Sequence, residues 1–373
     1  MSRHRLCPVL TICIPLLLAA VRLSAATVGW GYDSSGQSTV PDGLSNAVSV
    51  AAGAYHSMAL REGGTVVCWG DNSHGQTNSP ALTDVAAVAA GFYHSVALRS
   101  NGMVVAWGNN SYGQTNVPVG LADAKAIAAG WLHNLALRGN GTVIAWGDNG
   151  WGQTNVPSGL SNITAIAAGQ LHSLALRNDG TVFAWGANND AYGLTNLPAG
   201  LTDIAGISSG WLHIVALRSN GTAVAWGDGF YGQTNVSSLW SNMTLSAGGA
   251  THHTAVNGAT AVSWGANYYN QANPPAALTD ISALASGGYH NLAIGTLLPL
   301  TFSAESTNLS MSASGMQMRL DYAGDRGPVV ISASPDLTYW LPIFTNPPVN
   351  GSFTYVDHSA TNADHRFYRA EQR

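Results

Sequence analysis

Two short motifs recur in step along the 373 residues and constrain the fold more tightly than anything else in the chain. Trp-Gly pairs begin at Trp30, Trp69, Trp107, Trp146, Trp185, Trp226 and Trp264, with steps of 39, 38, 39, 39, 41 and 38 residues. A second motif, Gly-x-x-His, ends at His56, His94, His133, His172, His213, His252 and His290. Each occurs seven times in step; an eighth Trp-Gly, Trp151-Gly152, lies off the period. A period near 40 residues carrying Trp-Gly is the signature of propeller blades, not of a helical solenoid.

Local signals within one period agree. In "IAAGWLHNLALRGNGTVIAWG" the segments 134–138 and 142–146 are short and apolar, with Asn140-Gly141 between them. Asn101-Gly102, Asp179-Gly180 and Asn220-Gly221 hold the same place. Such pairs tolerate positive φ and favour tight hairpins. An "AIAAG" strand before the hairpin and a "GQTNVP" segment after it bring the expectation to four short strands per repeat. The order of the motifs then predicts closure. The first unit has Trp-Gly with no Gly-x-x-His before it, and the last Gly-x-x-His has no Trp-Gly after it. Joining "TVGWGYDSSGQSTVP" to "ALASGGYHNLAIG" completes a seventh unit and removes two exposed sheet edges. The expected fold is all-β: a seven-bladed β-propeller over 27–296, closed by pairing of its N- and C-terminal strands.

The units "AAGFYHSVALRSNGMVVAWGNNSYGQ" and "AAGQLHSLALRNDGTVFAWGANNDAYG" resemble the repeats of the regulator of chromosome condensation (RCC1) family, which forms seven-bladed β-propellers. The family's Gly-Gln-Leu-Gly ending is replaced here by Gly-Gln-Thr-Asn-Val-Pro, as at Gly113–Pro118. That variant is similar to the secreted bacterial branch, that of the β-lactamase inhibitor protein II. The resemblance implies a protein-binding propeller, with inhibition of a secreted enzyme as one version. It also brings nucleotide exchange on a small GTPase, the activity of eukaryotic members, which a secreted chain would not meet.

The two ends of the chain differ from the repeats. Arg3 and Arg5, an apolar run from Val9 to Val21, and Ser24-Ala25-Ala26 have the layout of a secretory signal peptide over 1–26, with a run too short to span a membrane comfortably. The expected location is secreted or cell-surface, with the periplasm as an option, and no membrane span after cleavage. Residues 297–306 read as a linker and 307–373 as a small β-sandwich-like module, with "PVVISASPDLTYW" and "GSFTYVD" as strands and turns at Pro335-Asp336 and Asn350-Gly351. This tail resembles a C-terminal module ending in "RFYRA" that follows varied domains in secreted proteins of environmental bacteria. Without the leader's three arginines, 11 basic residues face 19 acidic ones, a net charge of −8, and Lys125 is the only lysine. That balance disfavours nucleic acid as a partner. Cys7 and Cys13 leave with the leader. Cys68 remains alone at a position that is Ala or Ser in later repeats, so it reads as the filler of a small buried slot.

Nothing in the sequence spells a reaction. Seven equivalent histidines on separate blades read as buried residues satisfied by backbone hydrogen bonds, not as a metal site, which needs three or four ligands at one point. Each Trp of Trp-Gly reads as core. Asn72, Asn110, Asn149, Asn188 and Asn267 read as turn caps. No phosphate-binding, nucleophile-elbow or Cys-x-x-Cys motif is present, so no catalytic residue, cofactor or metal is expected. What varies inside the strict repeat is aromatic. One set lies within Gly-x-x-His and gives the candidate binding residues Tyr55, Phe92, Tyr93, Trp131, Trp211 and Tyr289, accompanied by Leu132, Leu171 and Leu212. A second set precedes the Gly of Gly-Gln: His74, Tyr112, Trp151, Tyr192, Tyr231 and Tyr269. This second set divides evenly between packing among blades and recognition. The expected function is a monomeric binding module for a secreted or cell-surface protein or glycan. The alternative is a polysaccharide hydrolase or lyase, with Asp71, Asp148 and Asp228 as candidate carboxylates.

Overall fold

The computed structural model describes residues 25–187 and 192–297, and beyond them strands between 301 and 372. The expected signal peptide, up to residue 24, and Asn188 lie outside the described residues. Strands are the only regular elements among those described.

The repeating unit is a three-stranded antiparallel sheet. In one such unit Ala124–Ala129, His133–Arg138 and Val143–Gly147 lie side by side, the His-led strand in the middle. The middle strand is buried on both faces from His133 to Leu137, which is why it reads as an unbroken apolar run. The same arrangement recurs in units beginning at Ala47, Val85, Ile163, Ile204 and Met243. Each first strand carries a register shift at the same place, for instance between Ala124 and Ala126, a repeated bulge that bends it. The turn between middle and third strands uses Gly at positive φ, as at Gly141 (φ 79°), with Asn140 Oδ1 accepting from the Thr142 amide.

The expected fourth strand does not form. "GQTNVP" folds as consecutive tight turns. Asn110 Oδ1 captures the Thr115 amide and its Nδ2 donates to Asn116, and Asn72, Asn149 and Asn267 do the same in their own units. These asparagines are the turn caps the sequence predicts. By taking local backbone donors they leave the segment no ladder to join.

The first and last units share strands. Ala26–Gly31 pairs antiparallel with His290–Leu297, from Ala26 opposite Gly295 to Gly31 opposite His290. His290–Leu297 also pairs with Leu278–Ser286. A single further pair, Thr260 with Thr279, joins this sheet to the unit beginning at Met243. Apolar clusters sit between neighbouring units. Val96, Leu98 and Val104 pack with Leu121, Ala136 and Trp146 of the next unit. Val50, Ala59 and Trp69 pack with Leu292 and Ile294, from opposite ends of the sequence.

Beyond the repeats, Gly315–Tyr322 pairs with Leu309–Ser312, Gly351–Asp357 and the short Thr301–Phe302, which falls in the stretch read as a linker. Val329–Ser334 pairs with Leu341–Asn346 and Phe367–Gln372 in a second antiparallel sheet. The turn residues Pro335-Asp336 and Asn350 lie outside the described residues.

Candidate functional site

The Gly-x-x-His turns of successive units meet side by side. The Trp131 amide donates to the Gly169 carbonyl, Gln170 to Trp211, Trp211 to Gly249, Ala250 to Gly288 and Gly288 to Gly53, at 2.9–3.1 Å. Glycine is required where these turns touch: a Cβ on Gly91 would run into the imidazole of its own His94. Inside the turns lies a cavity of about 120 Å³, lined by Gly53, Gly91, Gly130, Gly169 and Gly210 and flanked by Phe92, Trp131 and Trp211.

Beneath the turns the seven histidines are fully buried and each reaches into the following unit. His56 Nε2 meets Ser95 Oγ at 3.0 Å, His94 meets Asn134, His133 meets Ser173, His172 meets Ser209, His252 meets Asn291 and His290 meets Ser57 at 2.8 Å. The partners expected from sequence were backbone groups; the structure supplies side chains of the neighbouring unit. The tautomer follows. Ser95, Ser173 and Ser57 donate their one hydroxyl proton to the carbonyls of Gln76, Gln153 and Gln37, so each accepts from Nε2–H. Asn134 and Asn291 offer Oδ1, again an acceptor. Nδ1 of every one of these rings is then a buried acceptor without a partner. His213 breaks the pattern: its Nε2 meets Nδ1 of His253 at 3.0 Å, and His253 Nε2 meets Ser208. Burial holds the seven imidazoles down to about 3 or 4, so they are neutral near pH 7.

The residue of the sequence most easily passed over is the Gln of Gly-Gln. Its carbonyl accepts the indole N–H of the following unit's Trp: Trp107 from Gln76, Trp146 from Gln114, Trp185 from Gln153. Trp30 reaches Gln271 in the same way across 241 positions at 3.1 Å. The tryptophans are core residues, as the sequence predicts. In the fifth repeat Leu194 replaces Gln and Ile214 replaces the Ser or Asn, and the two pack together, fully buried. The Gln side chains hold the loop. Gln76, Gln153 and Gln233 donate Nε2 to Asp71, Asp148 and Asp228, at 2.7–3.0 Å. Those three carboxylates thus sit in separate units, each occupied by its own loop, and do not make an acid–base pair.

Above the collar of histidines the six candidate binding residues come together. Phe92 contacts Tyr93, Trp131, Trp211 and Tyr55, with centroids 4.3–5.9 Å apart. Trp131 and Trp211 stack at 5.4 Å and 9°. Tyr289 meets Trp211 at 6.0 Å. All six are half-buried, because they lie against one another. The second set lies at the rim. His74 stacks on Tyr93, and Tyr269 meets Tyr289. Tyr112, Trp151, Tyr192, Tyr231 and Tyr269 are 39–55% exposed, so they stand out from the blades instead of packing between them. Tyr32 was missed by sequence reasoning. It contacts Tyr55, Tyr269 and Tyr289, at a position held elsewhere by Asp, Asn or Ala. Its only sequence signal was adjacency to Trp30-Gly31. The glycine of Trp-Gly lets this layer sit close: Gly108 is at φ 101°, and a Cβ there would lie 2.6 Å from the Tyr93 carbonyl. Cys68 is half-buried and its thiol is pushed up to about 12 by burial, so it is unreactive as an anion.

The regulator of chromosome condensation (RCC1) repeat model matches residues 47–76, 85–114, 124–153, 163–193 and 204–233. No curated protein matches the sequence significantly. Among solved structures, Prp20p from Saccharomyces cerevisiae is similar over 74% of this chain and 92% of its own, at 20% identity and a TM-score of 0.63. Human WBSCR16 is similar over 73% and 99%, at 17% identity and a TM-score of 0.58. The ectodomain of the Physcomitrella patens receptor kinase CR4 covers 71% and 77%, at 21% identity and a TM-score of 0.54. Five of its repeats thus match the RCC1 repeat, and its described residues form all-β blades with RCC1-like propellers among the structures similar to it.

Proposed function

We propose that this chain is a secreted bacterial binding module whose repeats form a closed, monomeric seven-bladed propeller. The bound partner is a secreted or cell-surface protein or glycan, held on the aromatic end. The observation that carries this reading is the single connected layer of Tyr55, Phe92, Tyr93, Trp131, Trp211 and Tyr289, extended outward by Tyr32 and Tyr269. Clustered Trp and Tyr side chains dominate binding energy where they are desolvated by a partner. They are also stiff, and a scaffold tied by side chains from unit to unit loses little freedom on association. Closure is supported by the pairing of Ala26–Gly31 with His290–Gly295, by Trp30 on Gln271 and by His290 on Ser57. Secretion is supported by the leader-like residues 1–26, and inhibition of a secreted enzyme is the specific version favoured by the Gly-Gln-Thr-Asn-Val-Pro signature. Prp20p, similar in fold, has binding properties to Gsp1p and histones.

The test is titration of the full chain, read by tryptophan fluorescence, against a panel of purified β-lactamases and soluble glycans, beside the Trp131→Ala/Trp211→Ala variant. The expected result is binding of at least one member that weakens about ten-fold or more in the variant. Binding that ignores the variant would move the site elsewhere. No binding or inhibition by any β-lactamase at micromolar concentration would remove the inhibitor version.

A further inference from the structure

The two ends of the blades differ in charge as sharply as in aromatic content. Between residues 27 and 297 the chain has six cations: Arg61, Arg99, Lys125, Arg138, Arg177 and Arg218. The five arginines close the His-led strands, and Lys125 lies beside Arg138's partner Ala124, so all six stand at the hairpin end. There they meet carboxylates: Arg99 pairs with Asp84, Arg138 with Asp123 and Arg177 with Asp179. A His-led strand of this length separates the two ends by roughly 17 Å.

At the aromatic end the described charges are all negative. The backbone amides of Asp71, Asp148 and Asp228 bond to the carbonyls of Tyr55, Leu132 and Leu212 inside the Gly-x-x-His turns, and Asp33 follows Tyr32, which bonds to Tyr289. Their carboxylates accept only from neutral donors, such as Gln76 Nε2 on Asp71 and the Phe230 amide on Asp228. Hydrogen bonds of that kind stabilise a charge without cancelling it. Salt screens exposed charges over about 8–10 Å, so the arginines at the far end do not offset these acids. The outermost rings stand beside one of them. Phe230 is 83% exposed and Tyr268 74%, and Tyr231 contacts both edge-on at 4.8 and 5.9 Å, next to Asp228. Edge-on packing leaves ring faces open, and open π-faces near carboxylates favour cations.

We infer that the aromatic end takes a cationic segment of a partner protein, its arginine and lysine side chains seated over the exposed rings and within the field of Asp33, Asp71, Asp148 and Asp228. This rests on the binding-module reading above and narrows its partner. A neutral sugar carries no charge for the field of the four carboxylates to attract, and an acidic segment would be repelled by them.

The experiment titrates the full chain with three probes: a peptide alternating arginine and serine, the same peptide with glutamate for arginine, and cellohexaose. Variants are Phe230→Ala/Tyr268→Ala, both exposed positions, and Asp33→Asn, which keeps the acceptor to the Ser38 amide. The arginine peptide is expected to bind, to weaken about ten-fold or more from roughly 50 to 500 mM salt, and to lose roughly five-fold in the double variant. Asp33→Asn is expected to lower its association rate while leaving the melting temperature unchanged. Equal binding of the arginine and glutamate peptides, or indifference to both variants, overturns the inference. Ring-dependent binding of cellohexaose alone sinks the cationic partner and spares the binding face. Indifference of all three probes to the double variant and to Trp131→Ala/Trp211→Ala sinks both.

Discussion

The collar of histidines and the aromatic layer above it are built from adjacent residues of the same turns, yet they obey opposite rules. In the collar nearly every unit spends a polar side chain on its neighbour: His to Ser or Asn, Ser or Asn to the Gln carbonyl, Trp to the same carbonyl. In the layer the contacts are between rings, and what occupies a position changes from unit to unit, from Ala54 to Phe92, Trp131 and Gln170. A buried polar network tolerates little substitution, since one missing partner strands another group. Ring contacts at a half-open surface tolerate much more. The repeat is therefore rigid where it is buried and free to diversify one residue away.

The largest expected effect breaks the collar at its join. Deleting residues 27–40 removes the strand opposite His290–Gly295, the indole of Trp30 and the Gln37 carbonyl that serves both Trp69 and Ser57. The truncated chain is expected to lose its cooperative thermal transition or to assemble into oligomers by exposing a sheet edge. Size-exclusion chromatography and circular dichroism check this. A monomer with the parental melting temperature would contradict the proposed closure.

Acid is the next strongest probe, and it acts chiefly on the collar and on His253 beside it. Each imidazole is held neutral by burial, down to about 3 or 4 from 6.5. A group lowered in this way gives its full stabilisation above pH 6.5. It loses it as pH falls toward 4, because the unfolded chain binds a proton the folded chain refuses. The loss is about 1.4 kcal/mol per group and pH unit. Seven groups together lose about 10 kcal/mol per unit, as much as the whole stability of an ordinary domain. Unfolding is therefore expected near pH 5, with uptake of several protons. Calorimetry at pH 7.5, 6.0 and 5.0 measures it. A melting temperature flat across that range would show that the rings are solvated.

A single member of the network gives a smaller, sharper result. Ser173→Ala strands Nε2–H of His133 and removes one of two donors to the Gln153 carbonyl. The expected cost is about 1–3 kcal/mol in chemical unfolding. Ser173→Asn should restore most of it, since Asn134 and Asn291 play the same part in their units. An alanine variant as stable as the parent would break the account of the collar.

The collar and the layer were not equally readable in the sequence. Trp-Gly and Gly-x-x-His report backbone needs that only one or two residue types meet, so they survive in every copy, and with Asn-Gly or Asp-Gly in most hairpins they announce the blade. The Gln of Gly-Gln is nearly as regular, replaced only by Leu194, but its main contact is made by its carbonyl, which no side-chain pattern reveals. Ser57, Asn134 and Ser173 looked like unremarked strand residues because their Gln partner lies 20 positions upstream and their His partner 40 upstream or, for Ser57, 233 downstream. The fourth strand was over-read: Gly113 at φ 76° and the Asn110 cap turn the chain where apolar residues alone read as extended. The six ring residues were legible because each interrupts a strict repeat. Tyr32 was not, for its unit begins the repeats and offers no preceding copy for comparison.

The smallest expected effect on stability is the one that separates the two regions most cleanly. Trp131 and Trp211 are half-buried and stack on each other, with Phe92 against both. Their backbone amides, not their side chains, enter the turn-to-turn bonding, through Gly169 and Gly249. Replacing both by alanine leaves those bonds in place and removes one stacked pair, worth about 0.5–1.5 kcal/mol beyond its burial. The double variant should therefore lose less than about 3 kcal/mol, the lower bound for truncating a tryptophan in a packed core. Chemical unfolding of the full chain decides it. A loss beyond that bound would place the pair in the core of the propeller and leave the surface role to the outer rings, Phe230, Tyr231 and Tyr268.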